Sequence, residues 1–224
     1  MSPGPMRSQK LLQSKERFFI LLCLIGGLLV LVPILNRFVA ARIFLDIFLT
    51  AIVISVAYII SHKKRNLIFG VTLGVVMLAS LWIPYTDQNK WIAASGMIAG
   101  ALLIAFGMAS LLDLMLKSKG VNREIIYAAI LLYLLAALMW AFVYTFLELV
   151  DPASFNIELV RSEGQLLVFQ YYSFVTITTL GYGDITPVTE VAKAFSVLEA
   201  LVGQLYLVVA VAWLVGMHVS SRSK

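Results

Sequence analysis

The residues best equipped for chemistry in this chain lie in TITTLGYGDITP, Thr176–Pro187. The stretch combines four threonine hydroxyls, a phenol, a carboxylate and two glycines. It sits between the apolar runs IIYAAILLYLLAALMWAFVYTFLELV (125–150) and VAKAFSVLEALVGQLYLVVAVAWLVGMHV (191–219). No histidine cluster, nucleophile–base pair or phosphate-binding glycine loop occupies a plausible site, so an enzyme is not expected. What the stretch offers is oxygen. Gly181 and Gly183 accept backbone angles closed to other residues. Alternating with Leu180 and Tyr182, they allow successive carbonyls to point the same way, and a ring of such carbonyls can replace the water shell of a bare cation. Thr179 can add a hydroxyl at the inner end of the row. Tyr182 would point away from the ion and brace the loop.

The surroundings make that reading sharper. The 224 residues are 61% hydrophobic and 13% charged, against about 45–50% and 25% in soluble domains. So few charges cannot coat a soluble surface, and an integral membrane protein is expected. The net charge of +5 fits loops facing anionic lipid, not nucleic acid. Six runs approach the roughly 17–20 apolar residues of a span: Phe18–Leu35, Ile43–Ile60, Leu67–Ile83, Ile92–Leu116, Ile125–Val150 and Val191–Val219. Only helices and closed barrels satisfy their backbone in lipid, and these runs lack the alternation of barrel strands. The first run is longer than the signal-peptide core of about 7–15 residues, so a retained first helix is expected. With the N-terminus inside, twelve of the 17 lysines and arginines fall on the inner side. Arg37, Arg42, Lys90, Arg161 and Lys193 fall outside, which follows the positive-inside rule and places both termini in the cytoplasm.

The fold class expected is an all-α polytopic membrane protein with six transmembrane helices, a re-entrant pore helix and a filter loop. Non-helical backbone at membrane depth is tolerated only when buried in protein or lining a water-filled cavity. ELVDPASFNIELVRSEG reads as a polar external turret, QLLVFQYYSFVTITT as a short half-membrane helix, LGYGD as the loop, and ITPVTEV as the entry to the last helix. Pro187 suits a bend or a first turn. Residues 1–120 would hold the N-terminal segment and four helices acting as scaffold or sensor. Residues 121–224 would form the pore module. The pairs Gly70/Gly74 and Gly96/Gly100 read as close helix packing, within the subunit or, as the second reading, at a subunit contact.

TTLGYGD resembles the selectivity-filter signature of the potassium channel pore-loop family, with Thr, Gly, Tyr, Gly and Asp at fixed spacing. EALVGQLYLVVAVAWLVG is similar to the inner helix of its bacterial members. The resemblance covers about residues 125–219. It implies potassium as the permeant ion, held at Thr179, Leu180, Gly181 and Tyr182 with Gly183 completing the row, and no cofactor. Thr178, Asp184, Tyr171 and Tyr172 would support the filter; the tyrosine hydroxyls could reach Tyr182 of the same or a neighbouring subunit. Gly203 matches the inner-helix glycine read as a gating hinge. One chain carries one such loop, so a ring implies a homotetramer. Membrane lipids are its surroundings, and the plasma membrane, as a bacterial inner membrane, its location. Two departures stand out. Leu180 replaces the usual valine and must pack its longer side chain behind the filter. Val175 stands where some relatives have a glutamate paired to the filter aspartate.

Other residues leave alternatives open. Glu199 lies inside the last apolar run, where an acid costs about 2.5–3.5 kcal/mol unless it finds a partner or water. It either bonds near the base of the pore helix, at Ser173, or sits shallow enough to meet external water. Gln204, with Leu207 and Val211, faces the cavity below the filter, or Gln204 bonds a neighbouring helix. Glu148, Asp151, Glu158, Glu163, Asp184 and Glu190 could concentrate cations at the mouth or be merely solvated. Asp113 with Lys117, and Asp46 with Arg42, read as i,i+4 surface pairs. Cys23 reads as a small buried apolar residue. The fourth run has no arginine or lysine between Lys90 and Lys117, so no voltage sensor is expected and voltage dependence should be weak. Only SSRSK follows the last run, so no cytoplasmic sensing domain is expected in cis; a separate regulatory subunit could supply one. Two other functions stay open: a less selective cation channel, and a membrane ligand or lipid sensor carrying a channel module.

Overall fold

The computed structural model describes residues 18–31, 34, 41–60, 64–82, 90–118, 120–157 and 165–222. Helix α1 covers Phe18–Leu31, α2 Ala41–Ile60, α3 Lys64–Trp82, α4 Lys90–Lys117 and α5 Arg123–Val150. A two-residue strand β1 (Phe155–Asn156), the short helix α6 (Gln165–Ile177), strand β2 (Thr186–Pro187) and α7 (Glu190–Arg222) follow. By length and composition, Lys90–Lys117, Arg123–Val150 and Glu190–Val219 can each cross a membrane. Among the described residues, the apolar stretches of α1 to α3 are shorter: Phe18–Leu31, Leu45–Ala57 and Asn66–Leu81.

Each of the first helices buries one stripe. On α1 it is Phe18, Leu21, Ile25 and Leu28, the spacing of one helical face. Cys23 lies off that stripe and is exposed, so its expected burial is not seen. Small residues on α4 bring neighbours close. A Cβ built at Gly100 would lie 2.8 Å from the Phe142 ring of α5, and one at Gly107 2.6 Å from Val56 of α2; one at Gly96 would collide with Ser80 of α3. On α3, a Cβ at Gly74 would lie 2.7 Å from Val53 of α2. Gly74, Gly96 and Gly100 thus serve packing inside the chain.

Helix α5 is the hub. It packs on α4 and also on α6 and α7, and buries Leu131, Leu135, Leu138 and Phe142. Asn122 caps its start by accepting from Ile125 N at 3.0 Å, as N-cap asparagines do. At its other end the Glu148 carboxylate accepts from Ala153 N at 2.9 Å and from Phe155 N at 3.2 Å. This staples a turn in which Ala153 takes a φ of 74°.

The chain from 155 to 187 is closed at its base. β1 and β2 pair antiparallel, Phe155 with Pro187 and Asn156 with Thr186. Val188 N and Thr189 N then both bond Ser154 O, at 2.8 and 3.3 Å. Pro187 therefore sits in a short ladder, not in the first turn of α7. Thr189 takes the capping role instead, accepting from Ala192 N at 3.3 Å. Between these fastened ends, α6 has 13 residues, which is about 20 Å of helix against a hydrocarbon core of about 30 Å. It is too short to cross.

Candidate ion-conduction site

Helix α6 stops abruptly, and its last carbonyls are taken up locally, as helix ends require. Thr178 N and Oγ1 both bond Phe174 O, at 3.3 and 2.6 Å. Thr179 N bonds Thr176 O at 2.9 Å, and Leu180 N and Gly181 N share Val175 O at 3.0 and 3.3 Å. Tyr133 of α5 donates to Ile177 O at 2.9 Å.

Beyond that turn the backbone alternates. Thr179, Gly181 and Gly183 have φ of 60°, 56° and 79°, while Leu180 and Tyr182 between them stay out of positive φ. Such alternation lets successive carbonyls face one side. A Cβ at Gly181 or Gly183 would meet nothing within 4 Å, so the angle, not space, calls for glycine. Thr179 is β-branched and adopts the same region at a cost of about 1–3 kcal/mol. Two bonds accompany that conformation: its Oγ1 donates to Thr178 O at 2.6 Å and accepts from Gln204 Nε2 at 3.3 Å.

The whole loop from Thr178 to Asp184 is exposed. Leu180 and Tyr182 are 55% and 65% exposed, so this chain leaves about half of the Leu180 side chain uncovered. Gln204, Leu207 and Val211 are likewise exposed on α7. Gln204 donates to the loop itself rather than to a neighbouring helix.

Support for the loop comes from α6. Tyr171 donates to Asp184 Oδ2 at 2.7 Å, and Ile185 N donates to Asp184 Oδ1 at 3.1 Å. A phenol is a donor at neutral pH, and Asp184 as a carboxylate can only accept. Tyr172 shares a 2.6 Å bond with Ser196 of α7, whose own hydroxyl lies 2.8 Å from Ala192 O. Neither tyrosine hydroxyl bonds Tyr182 within the chain. Rings of Tyr144, Phe155, Phe169 and Tyr172 pack together behind α6, at centroid distances of 4.8–6.3 Å.

Glu199 is fully buried. Its Oε1 lies 2.5 Å from Ser173 Oγ, and its Oε2 accepts from Tyr144 at 2.5 Å. Of the two readings of Glu199, the bond at Ser173 is the one seen. One helical turn further on, a Cβ at Gly203 would lie 2.6 Å from both Cγ1 and the carbonyl oxygen of Ile177. Ser196, Glu199 and Gly203 thus form one stripe that presses α7 onto α6.

The acidic residues divide. Glu148 is committed to its turn, and Glu190 pairs with Lys193 at 2.9 Å. Asp113 pairs with Lys117 at 2.6 Å on the surface, as expected. Glu158, Arg161, Glu163 and the side chain of Arg42 lie outside the described residues. Sequence reasoning missed Tyr133, Tyr144 and Ser196, each of which bonds a residue on another helix: Ile177, Glu199 and Tyr172.

Residues 129–219, less than half of the chain, match the family model described as an ion channel. The match runs from α5 through α7 and supports an ion channel; with the apolar helices it marks a membrane protein. No curated protein and no solved structure matches the chain.

Proposed function

We propose that this chain is one subunit of a homotetrameric, potassium-selective channel that passes ions down their gradient. The observation that carries the reading is the alternating backbone at Thr179, Gly181 and Gly183, within TTLGYGD, in an exposed loop after a helix too short to span. Four copies around an axis would bring the carbonyls of Thr179, Leu180, Gly181 and Tyr182 into rings able to replace the water of a potassium ion. Gly183 completes the row and Thr179 Oγ1 lines its inner end. The exposure of Leu180, Tyr182 and most of α7 supports assembly, because neighbouring subunits and lipid would cover what this chain leaves bare. In this arrangement α6 is re-entrant, Gln204, Leu207 and Val211 line the cavity, both termini are cytoplasmic, and α1 to α4 are a collar or sensor without gating charges.

The test is the reversal potential of the purified protein in a planar bilayer, with potassium on one side and sodium on the other. A reversal near the potassium equilibrium potential is expected. Clear current reversing near zero refutes selectivity and favours a less selective cation pore.

A further inference from the structure

We infer that Glu199 is held as a neutral carboxylic acid that donates to Ser173, making it the positioning residue for α6. Only its consequence for permeation rests on the channel reading.

Three oxygen–oxygen contacts meet in one buried cluster. Tyr144 Oη lies 2.5 Å from Glu199 Oε2, Ser173 Oγ 2.5 Å from Glu199 Oε1, and Ser173 Oγ 2.6 Å from Ala137 O. Each separation is at the short end for O–H···O, so each needs a hydrogen between the oxygens. Tyr144 and Ser173 bring one each, and a backbone carbonyl brings none. The third belongs to Glu199.

Its placement follows. Ala137 O can only accept, so Ser173 turns its hydrogen there. Ser173 then accepts from Glu199 Oε1–H, while Glu199 Oε2 accepts from Tyr144. An ionised Glu199 would leave one of the two Ser173 contacts without a hydrogen. Tyr144 cannot make up the deficit, because its single hydrogen already lies between its own oxygen and Glu199 Oε2. Among the described residues Glu199 forms no ion pair, and an unpaired charge in a dry interior is costly.

The acid proton therefore links three helices: Glu199 on α7, Ser173 on α6, and Ala137 and Tyr144 on α5. Ser173 stands one turn before Ile177, where α6 hands over to the loop. Glutamine can reproduce the same pattern, its Nε2–H replacing Oε1–H and its oxygen accepting from Tyr144. Leucine cannot.

The experiment is an infrared difference spectrum at neutral pH, wild type minus Glu199→Gln, on the purified full-length protein. We expect one protonated-carboxyl band, sensitive to deuterium exchange, to be lost. Glu199→Gln should keep the wild-type oligomer, melting midpoint and reversal potential, and Glu199→Leu should lower the midpoint. Loss of ionised-carboxylate bands alone overturns the inference. Should Glu199→Gln fail to assemble, Ser173→Ala decides: freeing the acid from Ser173 must shift the same band, and an unshifted band overturns the assignment. The spectrum needs no current. A protein that shows the band but passes no potassium refutes the channel reading and leaves this one standing; a potassium-selective protein without the band does the reverse.

Discussion

Replacing Gly203 by alanine tests whether this glycine serves close approach or bending, because the two roles predict opposite signs of stability change. The new Cβ would stand 2.6 Å from Ile177 Cγ1 and 2.6 Å from Ile177 O, where ordinary contact begins at 3.4 Å. About 0.8 Å must open between α6 and α7. The Ile177 side chain can rotate, but its carbonyl cannot easily retreat. It belongs to the last residue of α6, and Tyr133 holds it at 2.9 Å. Overpacking of this kind costs about 1–3 kcal/mol. Alanine recovers roughly 0.5–1 kcal/mol of helix preference over glycine. The expected net loss is on the order of 1 kcal/mol per subunit, read as a lowered denaturation midpoint of the purified protein. The displaced Ile177 lies two residues before Thr179, so the reversal potential should move as well. Gly216→Ala is the control on the same helix, since a Cβ there meets nothing within 4 Å of the chain; its midpoint should hold or rise. A Gly203→Ala protein at least as stable as wild type would refute close approach and leave bending as the reason for glycine. In the structure α7 runs unbroken through Gly203.

Three further outcomes follow from named contacts. A double-mutant cycle of Tyr172→Phe and Ser196→Ala should show a coupling of about 1 kcal/mol, the net worth of one buried hydrogen bond; additive effects would mean that the 2.6 Å contact does not hold α6 to α7. Glu148→Ala leaves Ala153 N and Phe155 N without their carboxylate acceptor, and should lower the midpoint by about 1 kcal/mol, the low end for such losses because the turn is partly exposed. An unchanged midpoint would show that the turn keeps its shape without the staple. Conductance measured against voltage without blocking ions should be shallow, because α4 carries no charge between Lys90 and Asp113 and each charge crossing the field contributes about 2.3 kcal/mol per 100 mV. A steep curve would locate gating charge elsewhere in the chain.

The sequence was most legible where one local rule acts alone. Apolar length placed the fourth and fifth spans at Ile92–Leu116 and Ile125–Val150, and the helices run Lys90–Lys117 and Arg123–Val150. Two glycines alternating with larger residues announced an unusual backbone, and positive φ occurs at both. Legibility fell where contacts join distant segments. β1 and β2 have two residues each, too few for any alternation to show. Local preference leaves Pro187 between a bend and a first helical turn; its pairing with Phe155 rules out the helical turn. Cys23 was assigned to the interior by residue type, whereas the stripe of Phe18, Leu21, Ile25 and Leu28 determines which face of α1 is covered.

Glu199 shows where this boundary lies. That an acid in an apolar run must find partners follows from the cost of burying it, and Ser173 could be named because the half-helix had to end nearby. Tyr144, 55 residues away, could not. In the run around it, a phenol is one aromatic among several, and nothing in its neighbours marks it as a donor. The compensation for a buried acid on α7 is gathered from two other helices, so its parts become visible only once α5, α6 and α7 are packed. The same packing makes a substitution at Glu199 a change to α6 rather than to α7 alone: removing the acid leaves Tyr144 and Ser173 to find new partners on the two helices that hold the loop.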